Sequence, residues 1–201
     1  MTAIQLNSAR TAVVTGASSG NGRAVALRLA AEGCRVVCAD LRPEALAGGY
    51  EQEADVPTHE LIERSGGQAN FATCDVTSAT QVADLVATTV ATYGRLDVMV
   101  NNAGITASIG NTIEESEADF DRTMAVNLKG VWLGAKYAIT QQSKQDLVDG
   151  CRGKVVNIAS IGGLVGLEKE PAYCASKGGV VNLTRQLAID FAPSRINVSA
   201  V

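Results

Sequence analysis

The sequence predicts a three-layer α/β domain, an open parallel β-sheet covered by helices on both faces. Three observations carry this. Short, β-branched apolar runs alternate with longer Ala-, Leu- and Val-rich stretches from Ala12 to the last residues, the pattern of strands interleaved with crossover helices. A glycine-rich stretch, Gly16-Ala17-Ser18-Ser19-Gly20-Asn21-Gly22, separates the first apolar run from the first helical one. Polar and glycine positions then recur directly after successive strands, where ligands bind in sheets of this kind.

Ala12–Thr15 is the first strand, and the stretch from Arg23 to Ala31 has helical composition that Gly33 stops. Arg35–Asp40 is the second strand and completes a βαβ unit, whose parallel strands require a crossover. Residues 43–59, with Gly48, Gly49, Pro57 and several acids, read as an irregular surface connection into a short helix near Glu60–Ser65. Ala69–Thr73 is the third strand, ending at Cys74-Asp75-Val76. A helix from Ser78 to Tyr93 stops at Gly94, and Leu96–Val100 is a buried fourth strand opening into Asn101-Asn102-Ala103-Gly104. One long helix is expected from about Glu117 to Gln142, carrying Asn127. Lys154–Ile158 is the fifth strand, leading to Ala159-Ser160. Tyr173–Phe191 is the next helix, and Ile196–Val201 begins a sixth strand.

The chain has 201 residues, 46% hydrophobic and 19% charged, and reads as one domain over residues 1–201 with a substantial core. A net charge of −4 and a pI near 5.1 argue against nucleic acid or an anionic membrane as a charge-held partner. Apolar runs are strand-sized and interrupted, so no membrane span is expected. Met1–Ala9 lacks the layout of a signal peptide, and the expected location is cytoplasmic. Five cysteines without a Cys-x-x-Cys and a single histidine, His59, give neither a disulfide framework nor a metal site. The cysteines read as reduced and structural.

The strand ends carry the chemistry. Glycines let a backbone approach a pyrophosphate closely while a helix N-terminus supplies N–H donors; a plain tight turn is the alternative for Gly16–Gly22. Asp40, followed by Leu41, can accept hydrogen bonds from both hydroxyls of an adenosine ribose and repels a 2′-phosphate. Ser18 and Ser19 bring no basic side chain to the loop, although Arg42 lies close in sequence, so NAD is favoured over NADP. Alternatively, Asp40 caps a helix or sits in a solvated turn. Asp75 and Val76 could hold an adenine, and Asp75 could equally cap the helix that follows. Tyr173 and Lys177 share a helix face. A cation about 4 Å from the phenol, at an effective dielectric of ~20, would stabilise phenolate by up to ~4 kcal/mol, or roughly three pKa units. That moves a group that normally titrates near ~10 toward the range useful for acid–base catalysis.

Thr15-Gly16-x-x-x-Gly20-x-Gly22, Asn101-Asn102-Ala103-Gly104, Asn127, Ser160 and Tyr173-x-x-x-Lys177 stand in order along the chain. Together they resemble the short-chain dehydrogenase/reductase family, and the match covers essentially the whole chain. The resemblance implies a Rossmann-type doubly wound fold and an NAD(P)-dependent oxidoreductase acting on a secondary alcohol or ketone, such as a sugar, steroid, polyol or 3-oxoacyl thioester. It implies Tyr173 as general acid/base and Ser160 as the group positioning the substrate oxygen. Lys177 would bind the nicotinamide ribose and lower the phenol's pKa, and Asn127 would hold a water linking Lys177 to solvent. Asn102, Ala103 and Gly104 would support the cofactor and the central strand. Asn21 stands where the family usually has an aliphatic residue, and a minor effect is expected because the contact there is largely through the backbone. Family members usually continue beyond the sixth strand into a Pro-Gly turn, a substrate-covering loop and helix, and a seventh strand. The expectation is therefore a six-stranded sheet without that seventh strand, and a dinucleotide-binding remnant with little turnover is the alternative to an active enzyme. In this family the helices equivalent to those of Asn127 and Tyr173 pack against a second subunit, so a homodimer is expected, or a tetramer for a longer chain.

Overall fold

Strand β1 (Thr11–Thr15) is buried along its whole length because it runs through the interior of the sheet, between β2 (Arg35–Asp40) and β4 (Val98–Asn101). The computed structural model describes residues 10–46, 51 and 53–201. Met1–Ala9, and Gly48 and Gly49 of the irregular connection, lie outside the described residues. With β3 (Gln68–Thr73), β5 (Gly153–Asn157) and β6 (Ile196–Ala200) the strands form one six-stranded sheet in the order β3-β2-β1-β4-β5-β6. Every pairing is parallel, with Val14 opposite both Cys38 and Val100, and Val100 opposite Val156. All carboxyl ends therefore point to one edge.

The period-two alternation of each strand divides the core in two. Val13, Val37, Met99 and Val155 face helices α3 (Ala79–Tyr93), α5 (Val131–Gln142) and α6 (Pro171–Phe191), meeting Leu85, Leu133 and Leu187. Ala12, Val14, Val36 and Val100 face α1 (Gly20–Ala31) and α2 (Thr58–Arg64), meeting Ala26 and Ile62. Both faces of the sheet are covered, as the continuous apolar strands require.

Two elements differ from the sequence reading. The helix expected over 117–142 is three segments: α4 (Glu117–Met124), a π-helical turn (Ala125–Gly130) and α5. The widened turn holds the fully buried Asn127, whose amide reaches out to the backbone of Ile105; single π turns of this kind are frequent at functional sites. The fourth strand begins at Val98, two residues later than expected. Leu96 is buried, but its N–H and C=O pair with the side chain of Gln145, and the carboxylate of Asp97 accepts from the N–H of Thr11 at 2.8 Å. Gln145 thus takes the backbone groups of Leu96 that a longer strand would have used, while the backbone of Asp97 still pairs with Thr11 and Lys154 on either side. The other boundaries move by a few residues at most, and α6 starts at Pro171, the position where a missing N–H costs least.

Among the described residues, no helix is long and apolar enough to cross a membrane, and no group of three or more His, Cys, Asp or Glu side chains could hold a metal ion.

Candidate active site

A cleft of about 1320 Å³ runs along the carboxyl edge of the sheet. It brings together Gly16, Ser18, Ser19, Gly20 and Asn21 after β1, Asp40 and Leu41 after β2, and Asp75 and Val76 after β3. Asn102, Ala103 and Gly104 follow β4, Ser160 follows β5, and Tyr173 and Lys177 come from α6. Of the residues expected at the site, only Gly22 and Asn127 do not line the cleft. Both are buried directly behind it.

The glycine stretch is both loop and helix start. Gly16 adopts φ +65°, a left-handed conformation suited to glycine, and α1 begins at Gly20, earlier than composition suggested. Gly22 packs so closely that a Cβ there would lie 1.9 Å from the Gly16 carbonyl oxygen. Ser19 is the N-cap in extended geometry, but its side chain does not cap the helix; its Oγ accepts instead from the N–H of Leu46 at 2.6 Å. The first turn of α1 thus opens toward the cleft, the arrangement that suits a phosphate. Gly20 N–H donates to the Glu51 carboxylate, and that bond holds the Glu51 carboxyl below the usual carboxylate range. From behind, buried Arg23 donates to the carbonyls of Glu53 and Val56, and Thr58 Oγ1 donates to Ala17 O at 2.8 Å. These contacts lock the loop to the connection before α2. None of them was legible in the sequence, because their partners lie 30 or more residues apart.

Asp40 is held in place by backbone. Ser18 N–H donates to its Oδ2 at 3.0 Å and Leu41 N–H to its Oδ1 at 2.8 Å. Neither contact caps a helix, so the carboxylate is oriented at the cleft wall with accepting capacity left on both oxygens. Ser18 Oγ donates to the Arg42 carbonyl at 2.6 Å, which ties the loop to the end of β2. Asp75 does not cap α3. Ser78 does, accepting from Gln81 N–H, while Asp75 Oδ1 accepts from the N–H and hydroxyl of Thr77. The capping alternative for Asp75 is thereby corrected. A turn aspartate three residues before the helix satisfies its own loop, and the residue adjoining the helix has the cap geometry.

Asn102 ties β1 to β4. Its Nδ2 donates to Thr15 O at 2.8 Å, and the N–H groups of Asn102 and Ala103 donate to Thr15 Oγ1 at 3.0 and 3.1 Å. At the neighbouring strand ends, buried Asn101 donates to Asn157, which donates in turn to Thr184 of α6. A hydrogen-bonded ladder of side chains fixes the floor of the cleft.

Ser160 Oγ accepts from Gly162 N–H at 3.1 Å, opening a 3₁₀ turn (Ile161–Gly163), and keeps its own proton to donate. That turn lies tightly on α6: a Cβ on Gly163 would sit 2.7 Å from the Lys177 carbonyl oxygen, and one on Gly162 3.3 Å from Tyr173 Cε1. The packing fixes the turn that follows Ser160 against Tyr173. Lys177 is 4% exposed, and its Nζ donates to the Ile158 carbonyl at 2.7 Å while lying 5.7 Å from the centre of the Tyr173 ring. Burial pushes the Lys177 pKa down from its ordinary 10.5. Asn127 Oδ1 accepts from Ile105 N–H, and its Nδ2 donates to Ile105 O and to Ser176 Oγ. The side chain is thereby held at both its oxygen and its nitrogen.

Two residues that sequence reasoning missed belong to this framework. Ser176 donates to the Tyr173 carbonyl while accepting from Asn127. Glu115 accepts from the N–H of Ala172, beside Tyr173. Cys174 faces away from the cleft and accepts from Leu167 N–H at 3.3 Å, in keeping with a structural thiol.

A sequence model described as short chain dehydrogenase matches residues 10–201. An uncharacterized oxidoreductase of Thermotoga maritima is 42% identical over 189 residues, 94% of this chain and 68% of that protein. The 2-(R)-hydroxypropyl-CoM dehydrogenase of Xanthobacter autotrophicus is 39% identical over 194 residues, 96% of this chain and 72% of that protein. Among solved structures, NAD⁺-bound xylitol dehydrogenase superposes with a TM-score of 0.83 at 32% identity, covering 95% of this chain and 68% of the other. A short-chain type dehydrogenase/reductase from Mycobacterium marinum gives 0.86 at 30% identity, covering 99% of this chain and 74% of the other. With its six-stranded parallel sheet and its strand-end cleft, the chain belongs to the short-chain dehydrogenase/reductase family of oxidoreductases.

Proposed function

We propose that the chain uses NAD to interconvert a secondary alcohol and its ketone, with Tyr173 as the general acid/base. The observation that carries this reading is the convergence of Ser160, Tyr173 and Lys177 in the same cleft as Asp40 and the first turn of α1, where an incoming phosphate would replace the Glu51 carboxylate on Gly20 N–H. The cleft fits a dinucleotide in its donors as well as its length. Backbone N–H groups at the start of α1 suit a pyrophosphate, and the Asp40 carboxylate suits ribose hydroxyls. The Lys177 ammonium keeps two donors beyond the one given to Ile158. When bound, the nicotinamide supplies the hydride acceptor or donor.

The rest falls to the chain's own side chains. Ser160, with its oxygen anchored by Gly162 N–H, donates a hydrogen bond to the substrate oxygen and orients it. Tyr173 gives a proton to that oxygen in reduction and takes it in oxidation. The buried ammonium of Lys177 lies 5.7 Å from the centre of the Tyr173 ring, beside the group that exchanges the proton. Near Lys177, Asn127 in its widened helical turn would hold the water that refills the relay. A complete set of donors in register favours an active oxidoreductase over a cofactor-binding remnant.

The reading also includes a homodimer formed through α4, α5 and α6. Met124, Ala125, Leu128, Trp132, Gly179 and Leu183 form one largely apolar depression on their outer face, with Trp132 42% exposed. An exposed aromatic in such a surface suits a buried contact.

Titration of the purified chain with NADH, followed by fluorescence, and turnover on a panel of secondary alcohols test the proposal. Tyr173→Phe is expected to retain cofactor binding and lose roughly 10²–10⁴-fold in kcat, the usual contribution of general acid–base catalysis. Unchanged turnover in that variant removes Tyr173 from its role, and absence of binding at millimolar cofactor removes the reading altogether.

A further inference from the structure

Helix α6 begins without a cap of its own. Its N-cap, Glu170, makes no side-chain capping bond, Pro171 at the first helical position has no N–H, and the first backbone bond within the helix runs from Cys174 N–H to the Glu170 carbonyl. Ala172, fully buried, is left with a donor that the helix cannot satisfy. Glu115 satisfies it from another part of the chain: its Oε2 accepts from Ala172 N–H at 3.2 Å, while its Oε1 accepts from Ser108 Oγ at 3.1 Å. Both oxygens are engaged, so the carboxylate is fixed rather than merely near the helix. A second bond joins the same two segments. Gly110 N–H donates at 2.9 Å to the carbonyl of Lys169, a residue held at φ +61° immediately before the helix. A non-glycine residue in that region is strained and persists where its surroundings hold it.

These contacts form a clamp between the segment after β4, which lines the cleft at Gly104, Ile105 and Thr106, and the entry of the helix that carries Tyr173. We infer that Glu115 is a positioning residue for catalysis: its carboxylate caps α6 in trans and sets the phenol of Tyr173 against Ser160. The inference rests on the proposed role of Tyr173 for its kinetic consequence, and on the clamp alone for its structural one. A displacement of a reacting group by a fraction of its working distance lowers rates steeply, by roughly 10²-fold per ångström. Most of the proposed cofactor contacts, at Asp40 and the start of α1, lie on other elements, and Lys177 sits more than a turn beyond the capped end of α6, so the clamp acts mainly on the chemical step.

Two measurements on the full chain test this separately. Amide hydrogen exchange of the segment 171–177, without substrate, reads the clamp itself. Glu115→Ala is expected to accelerate exchange there at least tenfold, and Glu115→Gln, which keeps an acceptor oxygen for Ala172 N–H, is expected to stay within about threefold of the parent. Steady-state kinetics reads the consequence: kcat falls at least tenfold in the alanine variant, the Kd for NADH stays within twofold, and the glutamine variant restores most of the rate. Unchanged exchange in Glu115→Ala overturns the clamp. Accelerated exchange with unchanged kcat, or a joint loss of kcat and NADH affinity, overturns the positioning role, and so does a glutamine variant as slow as the alanine one. If the parent chain binds NADH but turns over no alcohol, the assigned function fails while the exchange measurement still decides the clamp. If Glu115→Ala does not fold, the glutamine variant and Ser108→Ala, which frees the other carboxylate oxygen, are measured in its place. Loss of rate at unchanged NADH affinity in Ser108→Ala supports the inference, and parent-like exchange and kcat in both variants overturn it.

Discussion

The ammonium of Lys177 donates to the carbonyl of Ile158 at 2.7 Å, joining α6 to the residue that follows β5. Ile158 N–H in turn donates to the Asn101 carbonyl at the end of β4. The position of the cation is therefore inherited from the sheet, and its burial has a measurable consequence.

Burial lowers the Lys177 pKa from 10.5. Below the lowered value the lysine is charged in both folded and unfolded chains, and the folded state bears the cost of desolvating it. Between that value and 10.5 the unfolded chain binds more protons than the folded one, so stability rises with pH across this window. Urea unfolding of the parent chain and of Lys177→Met at pH 7 and pH 10 is expected to show the parent gaining on the variant as pH rises. Parallel pH dependences would refute a desolvated ammonium at this site.

Asp40 is oriented by Ser18 N–H and Leu41 N–H at the cleft wall. A 2′-phosphate about 5 Å from its carboxylate would be repelled by ~3 kcal/mol at an effective dielectric of ~20, or roughly 100-fold in affinity. Asp40→Asn keeps the acceptor oxygen and removes the charge. The ratio of NADP to NAD affinity, measured by titration of both reduced cofactors, is expected to rise about 10- to 100-fold, screening included. An unchanged ratio would locate the selectivity elsewhere.

Trp132 stands at the centre of the outer apolar face of α5, with Lys136 Nζ 5.1 Å from its ring. Trp132→Glu is expected to convert a dimer to a monomer at micromolar concentration, read as mass by light scattering, because the interface loses its aromatic anchor and must desolvate a charge, even one within reach of Lys136. A parent chain of monomeric mass under the same conditions would count against the dimer.

The five free cysteines divide by environment. Cys34, Cys38 and Cys74 are buried, and burial pushes the thiol of Cys38 up to about 12 and that of Cys74 up to about 11. Cys34 is raised for the same reason. Only the thiolate reacts readily. A chromogenic disulfide reagent at pH 8 is expected to titrate Cys151 and Cys174 rapidly in the folded chain and the remaining three only after denaturation. Rapid modification of Cys38 would show that the strand interior opens more often than its packing allows.

Much of this molecule was legible before its coordinates. The alternation of strand and helix, the glycine loop and the Tyr173–Lys177 spacing are local patterns, set by side-chain period and by the few residues a tight turn tolerates. They were enough to place Asp40, Ser160 and Tyr173 at one sheet edge, since strands of a parallel sheet all end on the same side. What local pattern could not carry was the pairing of polar groups distant in sequence. The widened turn at Asn127, the bracketing of Leu96 by Gln145, the displacement of Asp75 by Ser78 as a cap and the reach of Glu115 to Ala172 all depend on such partners. The order of strands and helices settles which chemical groups meet at the cleft, because a parallel sheet brings its strand ends to one edge. How those groups are held is a matter of packing, because a buried donor or acceptor takes whichever partner lies within hydrogen-bond reach.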